Sequence, residues 1–225
     1  FWTQEIDIEL PQIVRLERSS GGKEAIAEAA KLLSEASFPV LLNGDGVVVG
    51  DVIPESVKLA EKLNAPVCCG YQHNDAFPGS HPLSVGPLGY NGSKAAMEIV
   101  SRADVVLALG TRLNPFSTLP SYGIDYWPKK AKIIQVDINS DRIGLTKNVT
   151  IGIQGDAKQV ATQIFEKLVP LESASSRSER TAIIAETKSR WLQQLSSMDH
   201  EDDDPGTNWN ERARNKDPEK MSPRM

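Results

Sequence analysis

The chain is poor in several things, and each shortage narrows what it can be. Only two of its 225 residues are cysteine, Cys68 and Cys69, and they are neighbours. Adjacent cysteines rarely reach the geometry of a mutual disulfide and lack metal-ligand spacing. A disulfide scaffold and a zinc ribbon are therefore excluded. The pair reads as small apolar residues of a buried strand in a reducing compartment. No apolar run approaches the ~20 residues of a membrane span, and no cleavable leader pattern is present. The expected setting is cytoplasmic, without a membrane partner. No basic block stands out and the formal net charge is -5, so no nucleic-acid partner is indicated.

Chemistry-bearing patterns are scarce too. No Ser-His-Asp order, P-loop or paired acid/base constellation is found, so no catalytic residue is assigned in this segment. His73 and His81 with Asp75 match no common metal spacing, and the Pro and Gly between the histidines prevent a helical face. They read as loop histidines with local hydrogen bonds. HEDDD (200–204) lacks the alternating ligands and central Gly of a calcium loop. It reads as a solvated charge run.

What is present is a steady alternation. The apolar runs FPVLLN (38–43), APVCCG (65–70), DVVLALG (104–110), AKIIQVDI (131–138) and VTIGIQG (149–155) have strand length. They are nearly continuous rather than alternating, as when helices cover both faces of a parallel sheet. Helical stripes lie between them: Ala25, Ala29, Leu32 and Ala36; Val57, Ala60 and Leu63 after Pro54; Ala96, Ile99, Val100 and Ala103 after a Ser93 cap; Ala157, Val160, Ala161, Ile164 and Leu168 after an Asp156 cap. The fold expected is α/β, a Rossmann-like doubly wound parallel sheet, with a C-terminal helix and a disordered tail.

Residues 1–20 read as a leading linker, 21–169 as the central α/β domain, and 170–225 as a linker helix with a charged tail. Within that last part ESASSRS (172–178) reads as linker and 179–197 as a helix with Ile184, Trp191 and Leu195 on one side. The helix has too little surface to fold alone and must pack on something. The chain begins at Phe1 and closes on NERARNKDPEKMSPRM, and both ends read as cut points in a longer protein. Two irregular loops, 71–92 and 111–128, have the length and composition of functional loops. The second holds most of the aromatic surface expected to be exposed.

The stretch NGDGVVVGD (43–51) poses the sharpest question. A Gly-Asp-Gly followed by an Asn some distance on, here Asn74, resembles a divalent-cation and diphosphate signature. In that arrangement a helix starts at once, its N-terminus facing the diphosphate. Six residues, four of them Val, separate Gly46 from the helix expected near Ile53, and Val enters helices reluctantly. The expectation is therefore a glycine-rich turn and no metal. In that turn Gly44 and Gly46 bring backbone close to a ligand at a strand's carboxyl end. Other strand ends offer Gly70 and Tyr71, then Gly110 and Arg112, then Asp137 and Ile138. Arg112 could hold a phosphate by two hydrogen bonds, and Asp137 could accept from a ribose hydroxyl. Each also has a plain structural reading: Gly110 ending a strand, Arg112 pairing locally, Asp137 capping the turn at 139–142.

The ordered run PVLLNGDGV, LAEKLNAPVCCGYQHNDAFPGSHPL, GPLGYNG, ADVVLALGTRL, KIIQVDIN and GDA resembles the central domain of thiamine diphosphate enzymes of the acetolactate synthase type, over roughly 21–168. CCGYQHNDAFPGSHPL, GTRLNPFSTLPSYGIDYWP and SSMDHEDDDPGTNWNERAR extend the resemblance to an acetyl-transferring branch and to nearly the whole chain. The resemblance implies a three-domain enzyme, with a pyrimidine-binding domain before this one and a diphosphate-binding domain after it, in a homodimer or homotetramer. Thiamine diphosphate and Mg²⁺ would be held by those other domains, and the activating Glu would lie upstream. The chemistry implied moves a two-carbon unit from a sulfonated aldehyde to phosphate. The resemblance also implies that this domain holds FAD or ADP through Gly44, Gly46, Gly70, Tyr71, Gly89, Gly110, Arg112, Asp137, Ile138 and Asp156. Loop residues Gln72, His73 and Asn74 would face the active site. Asp45 departs from the family pattern, which has a small residue there, and its carboxylate would repel a diphosphate.

Overall fold

A computed structural model describes residues 17–199 of the chain. Helix α1 (Lys23–Glu35) leads into β1 (Pro39–Asn43), then α2 (Asp45–Val49), α3 (Ile53–Leu63), β2 (Val67–Cys69), β3 (Ser84–Pro87), α4 (Lys94–Val100), β4 (Val105–Leu109), β5 (Lys132–Asp137), β6 (Ile151–Gln154), α5 (Ala157–Lys167) and α6 (Ala174–Asp199). The six strands form one sheet, ordered β3-β2-β1-β4-β5-β6, and every pairing is parallel. All residues of β1 and β4 are buried, so helices cover both faces. Helices α1 and α3 each pack on α5, and α4 packs on α6. The doubly wound α/β expectation holds.

Local chemistry explains the element ends. Pro54 stands in the first turn of α3, where a missing N–H costs nothing, and Asn64 closes the helix in a left-handed conformation (φ 49°). Ser93 caps α4 by accepting from the Ala96 N–H. Asp156 caps α5 by accepting from the Lys158 and Gln159 N–H groups. Cys68 and Cys69 are free and buried in β2, as their apolar reading expects.

The structure corrects the sequence reading at several points. The sheet has a sixth strand, β3, inside the segment read as an irregular loop. SVGP carries one large apolar residue and no period-two pattern, and as an edge strand it pairs only with β2. Of the expected stripe only Ala29 and Ala36 are buried; Ala25 and Leu32 stay half-buried, and helix α1 buries Ile26, Ala30 and Leu33 instead. The larger side chains on that adjacent face bury more apolar surface. The aromatic loop is not uniformly exposed, because Tyr126 is buried in the core. Helix α6 starts at Ala174, so the segment read as linker is largely helical. HEDDD (200–204) lies outside the described residues.

Helix α6 also finds its packing partner within this domain. Ile184 and Thr187 are buried, and so is Arg180, at 2% exposure. The Arg180 guanidinium donates to the carbonyls of Ser37, Leu63 and Asn64 and forms a two-pronged pair with Glu172. Five donors thus meet five acceptors where the strands begin, which makes the burial of this charge tolerable.

Candidate functional site

The strand order reverses between β1 and β4, and the loops leaving these two strands touch along their backbones. Gly44 N–H donates to Leu109 O at 3.0 Å, and Gly46 N–H to Gly110 O at 2.9 Å. Gly110 is left-handed (φ 59°), and a Cβ there would stand 2.8 Å from Gly46 Cα. The glycines therefore serve first to press two loops together. The expectation that Gly44 and Gly46 bring backbone to a ligand is refined: they bring backbone to backbone at the topological switch point, where open parallel sheets bind ligands.

The segment after Gly46 is corrected too. Helix α2 begins at Asp45, directly after β1, and Val47 anchors it in the core. One short turn, closed by Gly50 N–H on Gly46 O, needs little helix propensity once a buried side chain fixes it. The argument from reluctant valines does not hold here. Asp45 has a side chain 68% exposed, with His73 Nδ1 at 3.9 Å from its carboxylate. Among the described residues no group of three or more His, Cys, Asp and Glu is arranged to hold a metal ion. His81 makes local contacts, with Glu61 at 3.4 Å and the Leu83 N–H at 3.2 Å.

Around the junction lies a cleft of about 590 Å³. Of the residues singled out from the sequence it gathers Gly46, Gly70, Tyr71, Gln72, His73, Gly110, Arg112, Asp137, Ile138 and Asp156. Gly44 sits behind this wall against Thr111. Gly89 lies outside the cleft (φ 82°), where a Cβ would fall 1.9 Å from the Phe116 carbonyl oxygen. Asn74 faces a separate depression beside Cys69 and α6. Sequence reasoning missed Arg18, Val49, Asn114, Asn139 and Arg142. For Arg142 a signal existed, because it follows the carboxyl end of β5, and strand ends were already the rule being applied.

The cleft's charges are unevenly satisfied. Asp156 is held by the α5 amides and by Arg18 at 3.3 Å. Asp137 accepts from Asn139 N–H at 2.9 Å through one carboxylate oxygen, while the turn itself is capped by Asn139, which accepts from Asp141 N–H at 2.9 Å, and not by Asp137 as its structural reading expected. Arg112 and Arg142 are exposed and make no ion pair among the described residues. Val49 and Ile138 expose apolar side chains in the same lining, suited to the faces of a planar ring. Loop 71–76 is fastened from below: Asn43 Nδ2 donates to Ser56 Oγ at 2.8 Å and to Ala76 O at 2.9 Å. The thiols offer no nucleophile. Burial, then the nearby Asp75, pushes Cys69 up to about 12, and burial raises Cys68 as well.

A six-stranded, all-parallel doubly wound sheet with a cleft at its switch point defines the class of open α/β domains. Residues 26–164 match the family described as thiamine pyrophosphate enzyme, central domain, and the chain belongs to that family. It is 70% identical over 225 residues to the sulfoacetaldehyde acetyltransferase of Roseovarius nubinhibens, covering all of this chain and 37% of that protein. It is 66% identical over 224 residues to the enzyme of the same name from Rhodobacter capsulatus, covering 38% of it. The chain thus spans under two fifths of the length of these curated relatives. A solved structure from Mycobacterium smegmatis, assigned to the thiamin diphosphate-dependent enzymes, superposes with a TM-score of 0.57 at 23% identity. The match takes in 72% of this chain and 32% of that one, and it supports the fold. No helix among the described residues is long and apolar enough to cross a membrane.

Proposed function

We propose that this chain is the central domain of a cytoplasmic sulfoacetaldehyde acetyltransferase, which converts sulfoacetaldehyde and phosphate into acetyl phosphate and sulfite. The observation that carries the reading is identity of 70% along the whole chain to an enzyme of that name. Thiamine diphosphate supplies the carbanion chemistry when bound, and Mg²⁺ its anchorage, both in domains outside this segment. The residues here shape and support the site. Asn43 holds the 71–76 loop, and Gln72, His73 and Asn74 on that loop are the groups proposed to approach the active site. The domain works beside pyrimidine-binding and diphosphate-binding domains in a homodimer or homotetramer. The test is direct. The full-length polypeptide should release sulfite and form acetyl phosphate in the presence of thiamine diphosphate, and the 225-residue chain alone should do neither. A full-length protein that consumes pyruvate but not sulfoacetaldehyde would overturn the assignment.

A second reading concerns the cleft. Asp137, Arg112 without an ion partner among the described residues, and the exposed Val49 and Ile138, all in its lining, fit a ribose, a phosphate and a planar base, so ADP or FAD is proposed as its ligand. A binder should gain about 2.7 kcal/mol of stability at a hundredfold excess over its dissociation constant. No thermal shift with either nucleotide would leave the domain as a scaffold.

A further inference from the structure

Beside the main cleft, and continuous with it, lies a smaller pocket of about 390 Å³. Tyr71, Gln72, Arg112, Asn114 and Arg142 line both spaces, while Pro115, Phe116, Leu145 and Thr146 close only the smaller one. The division separates the charges. Asp45, Asp137 and Asp156 line the cleft, and no carboxylate lines the side pocket. Two guanidiniums without ion partners among the described residues thus reach a chamber that contains no acid to neutralise them.

The two arginines are held by one buried side chain. Gln135, 1% exposed, donates through Nε2 to Thr111 O at 3.0 Å and to Arg142 O at 3.1 Å. Its Oε1 accepts from Gly144 N–H at 2.9 Å. Thr111 precedes Arg112, so a single amide fixes the backbone that carries both cations. Thr146 Oγ1 donates to Leu113 O at 2.6 Å and ties the far wall to the same loop. Backbones so tied lose little further freedom when a ligand binds.

We propose that this side pocket is a binding site for a tetrahedral oxyanion, phosphate or sulfonate, held between Arg112 and Arg142. Guanidinium forks match the geometry of such groups and bind them by charge-assisted hydrogen bonds. Tyr71 and Phe116, stacked with centroids 6.3 Å apart, supply an apolar wall for a short carbon stem. Both substrates of the proposed reaction carry such a group. The choice of ions therefore rests on the proposed function, while the existence of the site does not.

The 225-residue chain is titrated by calorimetry with inorganic phosphate, with methanesulfonate and with ADP, alongside R112Q, R142Q and the double variant. The wild type should bind phosphate or methanesulfonate, and each single variant should weaken that binding roughly tenfold or more without a change in melting temperature. Binding of only one ion assigns the pocket to that ion. Phosphate binding lost in R142Q while ADP binding persists upholds a pocket separate from a nucleotide cleft. Oxyanion binding without any ADP binding sinks the nucleotide reading and leaves the pocket standing. Wild-type protein that binds neither ion, or a double variant that binds as well as wild type, overturns the proposal.

Discussion

The two ends of this sheet treat charge in opposite ways. Where the strands begin, polar groups are matched. Arg180 meets three carbonyls and Glu172, Asp104 accepts from the Ser37 and Phe38 N–H groups, and Asn64 Nδ2 donates to Arg177 O and Thr181 Oγ1. Where the strands end, Arg112 and Arg142 stand without ion partners among the described residues, and Val49 and Ile138 face solvent. A matched buried group contributes to holding the fold, and an unmatched group at a preformed cleft is available to a ligand. Substitutions at the first end should therefore alter stability, and those at the second should alter binding.

The largest expected effect tests that division. Arg180→Ala leaves Glu172 unpaired and three carbonyls without a donor, in a place 2% exposed. It should cost about 3–5 kcal/mol in urea denaturation. Arg112→Ala and Arg142→Ala should each stay within about 0.5 kcal/mol of wild type. Equal losses at the two ends would show that the contrast is only one of appearance.

One point at the carboxyl end should break the pattern, because it is structural. Gly110→Ala places a Cβ in the left-handed region and 2.8 Å from Gly46 Cα, so either the β1 or the β4 loop must move. A loss of about 1–3 kcal/mol is expected from backbone strain. Ligand binding should fall with it, since the same junction shapes the cleft. A variant that keeps full stability would mean that the junction yields easily.

The core between the two ends carries its own titration. Burial pushes the Cys69 thiol from its ordinary value up to about 12. The folded state therefore keeps its proton where the unfolded state has released it. Stability is complete below about pH 9 and falls as the pH rises towards 12, by about 1.4 kcal/mol per pH unit for this thiol. Cys69→Ala should make that alkaline limb shallower in denaturation curves from pH 8 to 11. An unchanged slope would assign the limb to other groups.

Long apolar runs made the sheet legible, because a strand buried on both faces needs an almost unbroken apolar segment. That logic found β1, β2, β4, β5 and β6. It could not find β3, whose place is set by pairing with β2 and not by its own side chains. Strand-end reasoning brought Gly46, Tyr71, Arg112, Asp137 and Ile138 to one cleft before the topology was known. It missed Arg18, which reaches the cleft from a segment with no strand-end mark, and it passed over Asn114 in the loop leaving β4. It also misjudged α2, because helix propensity was weighed without knowing that Val47 would be buried. The Arg180 latch was invisible, since three of its five acceptors are backbone carbonyls more than a hundred positions away in the chain.

The smallest expected effect is at Asp45. Its side chain is 68% exposed and, among the described residues, its one ion-pair-range contact is the His73 ring at 3.9 Å, so Asp45→Asn should move stability by less than about 0.5 kcal/mol. Binding should respond in the other direction. The carboxylate shares the cleft with Arg18, Arg112 and Arg142, and it opposes any anion drawn to them. Removing an exposed charge of this kind is worth up to about 1 kcal/mol, a gain of a few-fold in affinity for phosphate or ADP. Because Asp45 lines the cleft and not the side pocket, the gain should be larger for ADP than for free phosphate. It should also shrink as salt is added, since screening weakens exposed charges first. Equal gains for both ligands would mean that the two spaces act as one electrostatic compartment, and a loss of affinity would mean that Asp45 contacts the ligand itself.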